Sequence, residues 1–271
     1  MLLASVPRHG NVPAMTKTVT DTKPVVISLI ALIVLWAAAA WMGDDPSVLP
    51  APGEVWRIAK AETLSGELPH HFLATLRRVV FAFALAMGLG CAIGGIMGLS
   101  PRLNRWFSSW LVVLLNIPAL VVIVLCYLWI GLNETAAITA VALNKTAMVA
   151  VSVREGVQAL DPKLRDMSRV FGMQRSAVLR HVVLPQLWPY LAGAMRNGVA
   201  IIWKIVLVVE FLGRSNGIGF QIHLYFQLFE TGYVLAYALS FVAFMLLVEF
   251  ALIGAMERRA TAWRRQSAGA S

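Results

Sequence analysis

Four of the ionisable side chains inside stretches apolar enough to cross a bilayer stand out: Lys145, Lys204, Glu210 and Glu249. A charge at the centre of a membrane helix costs about 2.5–3.5 kcal/mol on insertion scales, so it is kept for pairing, proton relay or a polar solute. Lys145 and Lys204, if they face a pathway, make it attractive to an anion. The same lysines can instead fix helix packing through ion pairs or reach the interface with their heads. Lys204 and Glu210 lie about 9 Å apart along a helix and on different faces, so each needs another partner. Lys145 with Glu210, and Lys204 with Glu249, are the interhelical pairs the order of the spans allows.

No set of residues with catalytic spacing accompanies these charges. His70-His71 is the one adjacent pair of potential metal ligands, without a carboxylate cluster beside it, and reads as an interfacial cap. Cys91 and Cys126 lie in apolar runs, with neither disulfide-framework nor metal-ligand spacing, and read as packed, inert thiols. The phosphate-binding pattern G-x-x-x-x-G-K-[ST] is absent; Asn144-Lys145-Thr146 lacks its glycines. The expectation is a chain that is not an enzyme, with no catalytic, metal or cofactor site of its own.

The elements that hold these residues are membrane helices. The chain is 59% hydrophobic and 14% charged, against about 25% charge in a soluble domain. Its net charge of +9 could suggest nucleic acid, but the basic residues sit between apolar spans, as positive-inside topology requires. Six segments are long enough to span: Val25–Met42, Phe72–Leu99, Ser109–Ile130, Ala136–Val153, Leu187–Leu212 and Tyr233–Met256. With the N-terminus inside, 15 of the 23 Lys/Arg fall in cytoplasmic segments. Arg57, Lys60, Arg77, Arg78 and Arg214 fall outside, and Arg77-Arg78 is the main dissent. The expected architecture is an all-α, multi-pass membrane protein with both termini in the cytoplasm. Residues 1–24 form a disordered cytoplasmic N-terminus, 25–256 the six-helix domain, and 257–271 a basic cytoplasmic tail. The first span, preceded by Lys17 and Lys23 and ending in Trp41, reads as an uncleaved helix rather than a signal peptide.

Smaller features refine the bundle. Glu54–Leu64 reads as a short amphipathic helix, with Val55, Ile58 and Ala59 on one face and Glu62 on the other. Gly90, Gly94 and Gly98 line one face of the second span and mark a close helix contact. Pro118 kinks the third span, and Asn116 is placed to satisfy the freed backbone groups. A kinked helix of this kind can border a pathway or be purely structural.

The remaining polar stretch, Arg154 to Pro185, lies between two spans. Asp161-Pro162 is a helix start, with Asp as N-cap and Pro at the first position. Leu164, Met167 and Phe171 then form one apolar face, and Gly172 stops the helix at a left-handed position. Ser176 caps a second short helix through Val183, with Pro185 and Pro189 at the entry to the fifth span. A merely solvated loop would not need an apolar face, so the stretch reads as a knob that binds a partner.

At these residues the chain resembles the permease subunits of ABC importers, which carry the signature E-A-A-x(3)-G-x(9)-I-x-L-P. Asp166, Met167 and Ser168 take the first three places, Gly172 the glycine, and Val182, Leu184 and Pro185 the last places. The spacing is kept while the first three residues depart from Glu-Ala-Ala. LPAPGEVW (Leu49–Trp56), TLRRVVFAFALA (Thr75–Ala86), MGLSPRLNR (Met97–Arg105), NIPALV (Asn116–Val121) and VVEFLGRSNGIGF (Val208–Phe220) extend the resemblance, in order, to the nitrate/sulfonate/taurine-type permeases.

The resemblance implies a type I importer permease in the bacterial cytoplasmic (inner) membrane, forming half of a pathway, with a second copy completing it as a homodimer. It implies an ATPase subunit dimer that holds ATP and Mg, and a separate periplasmic or extracellular solute-binding protein. The ATPase-coupling residues would be Arg165, Asp166, Met167, Ser168, Arg169, Phe171, Gly172, Leu184 and Pro185, and the pathway candidates Asn116, Pro118, Lys145, Lys204 and Glu210. Glu210 stands where the family has a Glu near the outer end of this helix and reads as architectural or gate-lining; the loop Gly213–Gly219, with its three glycines, reads as facing the binding protein. The expected solute is a small anion such as nitrate, a sulfonate or taurine; the alternative is a neutral or cationic vitamin or precursor. An ion-coupled secondary transporter would need no docking knob and often shows inverted repeats, which are not found here.

Overall fold

A computed structural model describes residues 22–43, 45 and 47–268, with side chains described as far as residue 251. The expected disorder of residues 1–21, and the last three residues of the basic tail, lie outside the described residues. Residues 22–24, expected in that disordered segment, are already helical. No strand occurs among the described residues.

The chain divides into two compact units, Met1–Pro52 and Gly53–Ser271. The first contains α1 (Thr22–Met42), whose apolar side chains from Val26 to Leu35 are exposed, as lipid contact requires. Trp36 Nε1 donates to the Pro50 carbonyl at 3.1 Å, folding the following turn back along the helix.

The second unit begins with α2 (Pro52–Ser65) and α3 (Glu67–Leu99), the latter 33 residues long. Then come α4 (Pro101–Asn116), α5 (Ala119–Ile130) and α6 (Glu134–Gln158). Next are α7 (Pro162–Val170), α8 (Arg175–Val178) and a π-turn at Leu179–Val183. The unit ends with α9 (Leu184–Gly213), α10 (Ile218–Gln227) and α11 (Thr231–Ala268).

α6 is the axis of the unit, packed by α3, α4, α5 and α9. Its face is alanine-rich; Ala136, Ala137, Ala140, Ala142, Ala147 and Ala150 are all buried. Small residues on one helix invite a close partner. The glycine face of α3 is that partner: a Cβ at Gly90 would lie 2.5 Å from Val149 Cβ, and one at Gly98 would lie 2.6 Å from Val157 Cβ. Gly94 likewise faces the Ala150 carbonyl.

Among the described residues four helical segments are long and apolar enough to span a membrane: Glu67–Leu99, Glu134–Gln158, Arg175–Gly213 and, within α11, Thr231–Ala251. A fifth span results only if α4 and α5 count as one, and they meet at 95°. The expected kink at Pro118 is thus a break. Pro118 becomes the N-cap of α5, and Ile117 before it is extended, as a residue preceding proline prefers. Asn116 Nδ2 donates to the Val112 carbonyl at 2.8 Å, closing the end of α4.

Several boundaries move. α6 runs to Gln158, five residues past the expected end of its span. α11 continues to Ala268, into the segment expected as a tail. Glu62 lies on the same side of α2 as Val55 and Ile58, where it accepts from the Tyr237 hydroxyl at 2.6 Å. Seven residues is two turns, so Glu62 falls beneath Val55 rather than opposite it.

Candidate functional site

The polar module lies at the Gln158 end of α6. Asp161 Oδ1 accepts from the Lys163 amide at 2.8 Å and Pro162 occupies the first turn, so α7 starts as its sequence dictates. Its other end is a Schellman closure. Met173 N–H donates to the Ser168 carbonyl and Gly172 N–H to the Arg169 carbonyl, both at 3.0 Å. Gly172 has φ +59 and nothing within 4 Å of an added Cβ, so its requirement is conformational, not steric. The Asp161 amide donates to Gln186 Oε1 at 2.9 Å, pinning the module to the start of α9.

α7 faces outward with its apolar residues. Leu164 and Met167 are exposed, Phe171 is 75% exposed and Val170 85%. Ser168 is buried and donates to the Arg165 carbonyl at 2.7 Å. Arg165, Asp166 and Arg169 are exposed, the last two 3.7 Å apart as an ion pair.

The second expected helix of the knob is not separate. It begins at Arg175 with Gln174, not Ser176, as N-cap, and runs through the π-turn into α9. Pro185 has no N–H and its ring crowds the preceding turn, and a widened turn accommodates that without a break. Leu184 and Pro185 are exposed at this junction. Only α7 and its glycine turn therefore stand free of the long helices.

At the Glu134 end a second polar group is closed rather than open. Arg78 of α3 is 1% exposed and Glu210 of α9 0%. Arg78 Nη1 donates to Glu210 Oε1 at 2.6 Å and to the Asn216 carbonyl at 2.9 Å. Nη2 donates to Asn216 Oδ1. Nε and Nη2 grip Glu134 at 2.8 and 2.5 Å, the two-pronged geometry of an arginine fork. Glu210 Oε2 accepts from Thr75 Oγ1 at 2.8 Å and from the Gly219 amide at 2.9 Å. Thr75 Oγ1 in turn accepts from the Ile218 amide, and His71 Nδ1 from the Gly217 amide. With Nδ1 accepting, the neutral His71 ring carries its proton on Nε2, and the Gln221 side-chain amide beside it completes the pair with its oxygen as acceptor.

The glycines of the 213–219 loop make this closure possible. Gly217 has φ +110, and a Cβ there would fall on the Glu210 carboxylate, 2.5 Å from Oε1. A Cβ at Gly219 would overlap the Leu207 carbonyl, and one at Gly213 would lie 2.7 Å from the Tyr127 ring. The loop can lie on α3 and α9 only without side chains at these points.

The structure does not bring the remaining sequence candidates together. Glu210 pairs with Arg78, not Lys145, because α3 rather than the middle of α6 reaches its level. Lys145 is 7% exposed, and its sole polar contact among the described residues is Met148 Sδ at 3.9 Å. Lys204 is exposed with its Nζ 5.4 Å from the Trp203 ring centroid, a cation–π contact. No ion pair joins it to Glu249 among the described residues. Asn116 and Pro118 lie exposed at the α4–α5 break. Cys126 is buried and Cys91 half-buried, both free thiols.

Sequence reasoning missed Glu134, Thr75 and Asn216 as members of one group. The signal was the Arg77-Arg78 pair inside an otherwise apolar helix, which demands buried counter-charges.

The described residues form an all-α bundle with helices of membrane-spanning length and one outward-facing polar module. The same fold occurs in the MetNI methionine ABC transporter in its inward-facing conformation. The match has a TM-score of 0.62 at 17% identity and covers 72% of this chain and 97% of that one. A chain of an amino acid ABC transporter solved with histidines matches with TM-score 0.56 at 22% identity, covering 73% and 94%.

The chain belongs to the binding-protein-dependent transport system inner membrane component family, whose profile matches residues 84–261. A permease of Bacillus subtilis (strain 168) named for aliphatic sulfonates transport, SsuC, is 29% identical, the match covering 88% of this chain and 86% of that protein. The taurine transport system permease protein TauC of Escherichia coli (strain K12) is 28% identical over 86% of each. The riboflavin transport system permease protein RibX of Chloroflexus aurantiacus is 29% identical over 88% of each. The family places the protein in the inner membrane.

Proposed function

We propose that the chain is the permease subunit of an ATP-driven importer, coupled to a separate ATPase through α7. The observation that carries this reading is the exposed apolar face of α7, with Leu164, Met167, Val170 and Phe171 on a helix closed by a glycine turn. Exposed apolar side chains on a water-facing helix are stabilised by a partner's groove. In this reading the Gln158 end is cytoplasmic, α1 supplies a further span, and both termini lie inside. A second copy completes the pathway, and a solute-binding protein delivers to the Glu134 end. ATP and Mg belong to the ATPase subunits.

The solute in this reading is a small anion of the sulfonate or taurine kind. Lys145 supports it: a buried ammonium without a carboxylate partner among the described residues favours a passing negative charge. The similarity to a riboflavin permease favours a second reading, in which the solute is a neutral or cationic vitamin or precursor. Reconstituted uptake with the ATPase and binding protein tests both. ATP-dependent accumulation of a sulfonate supports the first, and uptake that persists with a hydrolysis-dead ATPase contradicts the importer reading altogether.

A further inference from the structure

The seam between α4 and α6 at the Gln158 end holds two buried polar atoms without hydrogen-bond partners among the described residues, Arg154 Nε and Asn104 Oδ1. Helical spacing sets them at about one level. Leu111 of α4 clusters with Ala147 and Ala150 of α6. Asn104 is seven residues before Leu111, and Arg154 seven after Ala147, so each sits two turns, about 10 Å, away on the same helix face. α4 starts at this end and α6 finishes there, so both displacements run the same way. Gly98 fixes the level independently. Its Cβ would lie 3.1 Å from the Arg154 carbonyl, and Ser100, two residues on, caps α4.

The surroundings are basic and exposed. Arg154 has one ionic partner, Glu155 at 3.8 Å, whose carboxylate is 58% exposed. Arg102 and Arg105 stand exposed on the first turns of α4. The next turns expose Trp106 and Trp110, and then Val112 to Leu115. That is the order of a helix passing from headgroup to hydrocarbon level. An orphan N–H calls for an anion, and an orphan carbonyl for a hydroxyl or ammonium donor.

We propose that this seam binds the headgroup of an anionic phospholipid that also carries a hydroxyl, as phosphatidylglycerol does. The phosphate rests on Arg154 with Arg105 at the edge of the seam, and the hydroxyl donates to Asn104. The site lies beyond the transport reading and does not depend on it. Arg154 is four residues from the end of α6, so the headgroup holds the root of the α7 module.

Native mass spectrometry of the full-length protein, equilibrated in equal phosphatidylglycerol and phosphatidylcholine, tests this. Phosphatidylglycerol should be retained preferentially, and Arg154→Gln or Asn104→Ala should lower its retention about fivefold. Arg57→Gln, an exposed arginine on α2, should leave it unchanged, and soluble glycerol phosphate should not displace the lipid. If Arg154→Gln does not fold, the Arg105→Gln variant reads the same loss. No preference for phosphatidylglycerol, retention unchanged in these variants, or displacement by soluble glycerol phosphate would overturn the proposal.

Discussion

Arg78 and Glu210 meet at 2.6 Å across 132 residues of sequence, with both side chains sealed from solvent. The pair does more than join α3 to α9. Through Asn216, Gly219 and Thr75 it fixes the path of the loop from 213 to 219. A charge pair of this kind leaves a costly orphan when one partner is removed.

Glu210→Gln or Arg78→Met should therefore destabilise the protein by about 3–5 kcal/mol, while the double replacement should cost less than the two added together. Thermal unfolding in detergent, run as a double-mutant cycle, checks this. Strict additivity would show that the two groups do not act as a pair.

Gly217→Ala should loosen the same loop, since the methyl group meets the Glu210 carboxylate and the backbone is left-handed. Strain of about 1–3 kcal/mol is expected from such a position. Faster hydrogen exchange at the Ile218 and Gly219 amides is the readout, with the Gly90 region of α3 unchanged.

At Gly172 the expectation separates shape from space. The position is left-handed and open, so Gly172→Asn should be tolerated, whereas Gly172→Val should cost about 1–2 kcal/mol in the turn. Gly172→Pro should remove the amide that closes on Arg169. In both damaging variants ATP-dependent uptake should fall while membrane insertion stays normal.

Lys145→Met distinguishes a pathway lysine from a packing lysine. Lys145 has no ionic partner among the described residues, so its removal should leave stability equal or higher. Loss of one contact to a charged solute, about 1.5 kcal/mol, should lower anion uptake roughly tenfold. Unchanged uptake at normal expression would remove Lys145 from the pathway, and the same assay on Lys204→Met decides that residue.

Local chemistry made much of this legible in sequence. Asp161-Pro162 starts α7 and Gly172 ends it because caps are short-range devices. The glycine face of α3 marked a helix contact, though not that α6 was the partner. What sequence could not fix was distance in space. Pro118 implied a bend but not 95°, since the angle depends on what α4 and α5 pack against. Pro185 marked the entry to the fifth span, yet a π-turn joins the preceding short helix to it without a break. Arg78 looked like a misplaced surface charge. Its counter-charges arrive from Glu134 and Glu210, which no local pattern links to it.

In the proposed function α7 docks an ATPase by its exposed apolar face. Co-purification of the partner ATPase with a Met167→Asp/Phe171→Asp chain tests it directly. Both side chains are exposed, so the fold should persist. The ATPase should be lost from the purified complex while the chain still inserts in the membrane. Retention of the ATPase in the same ratio as for the unmodified chain would contradict it.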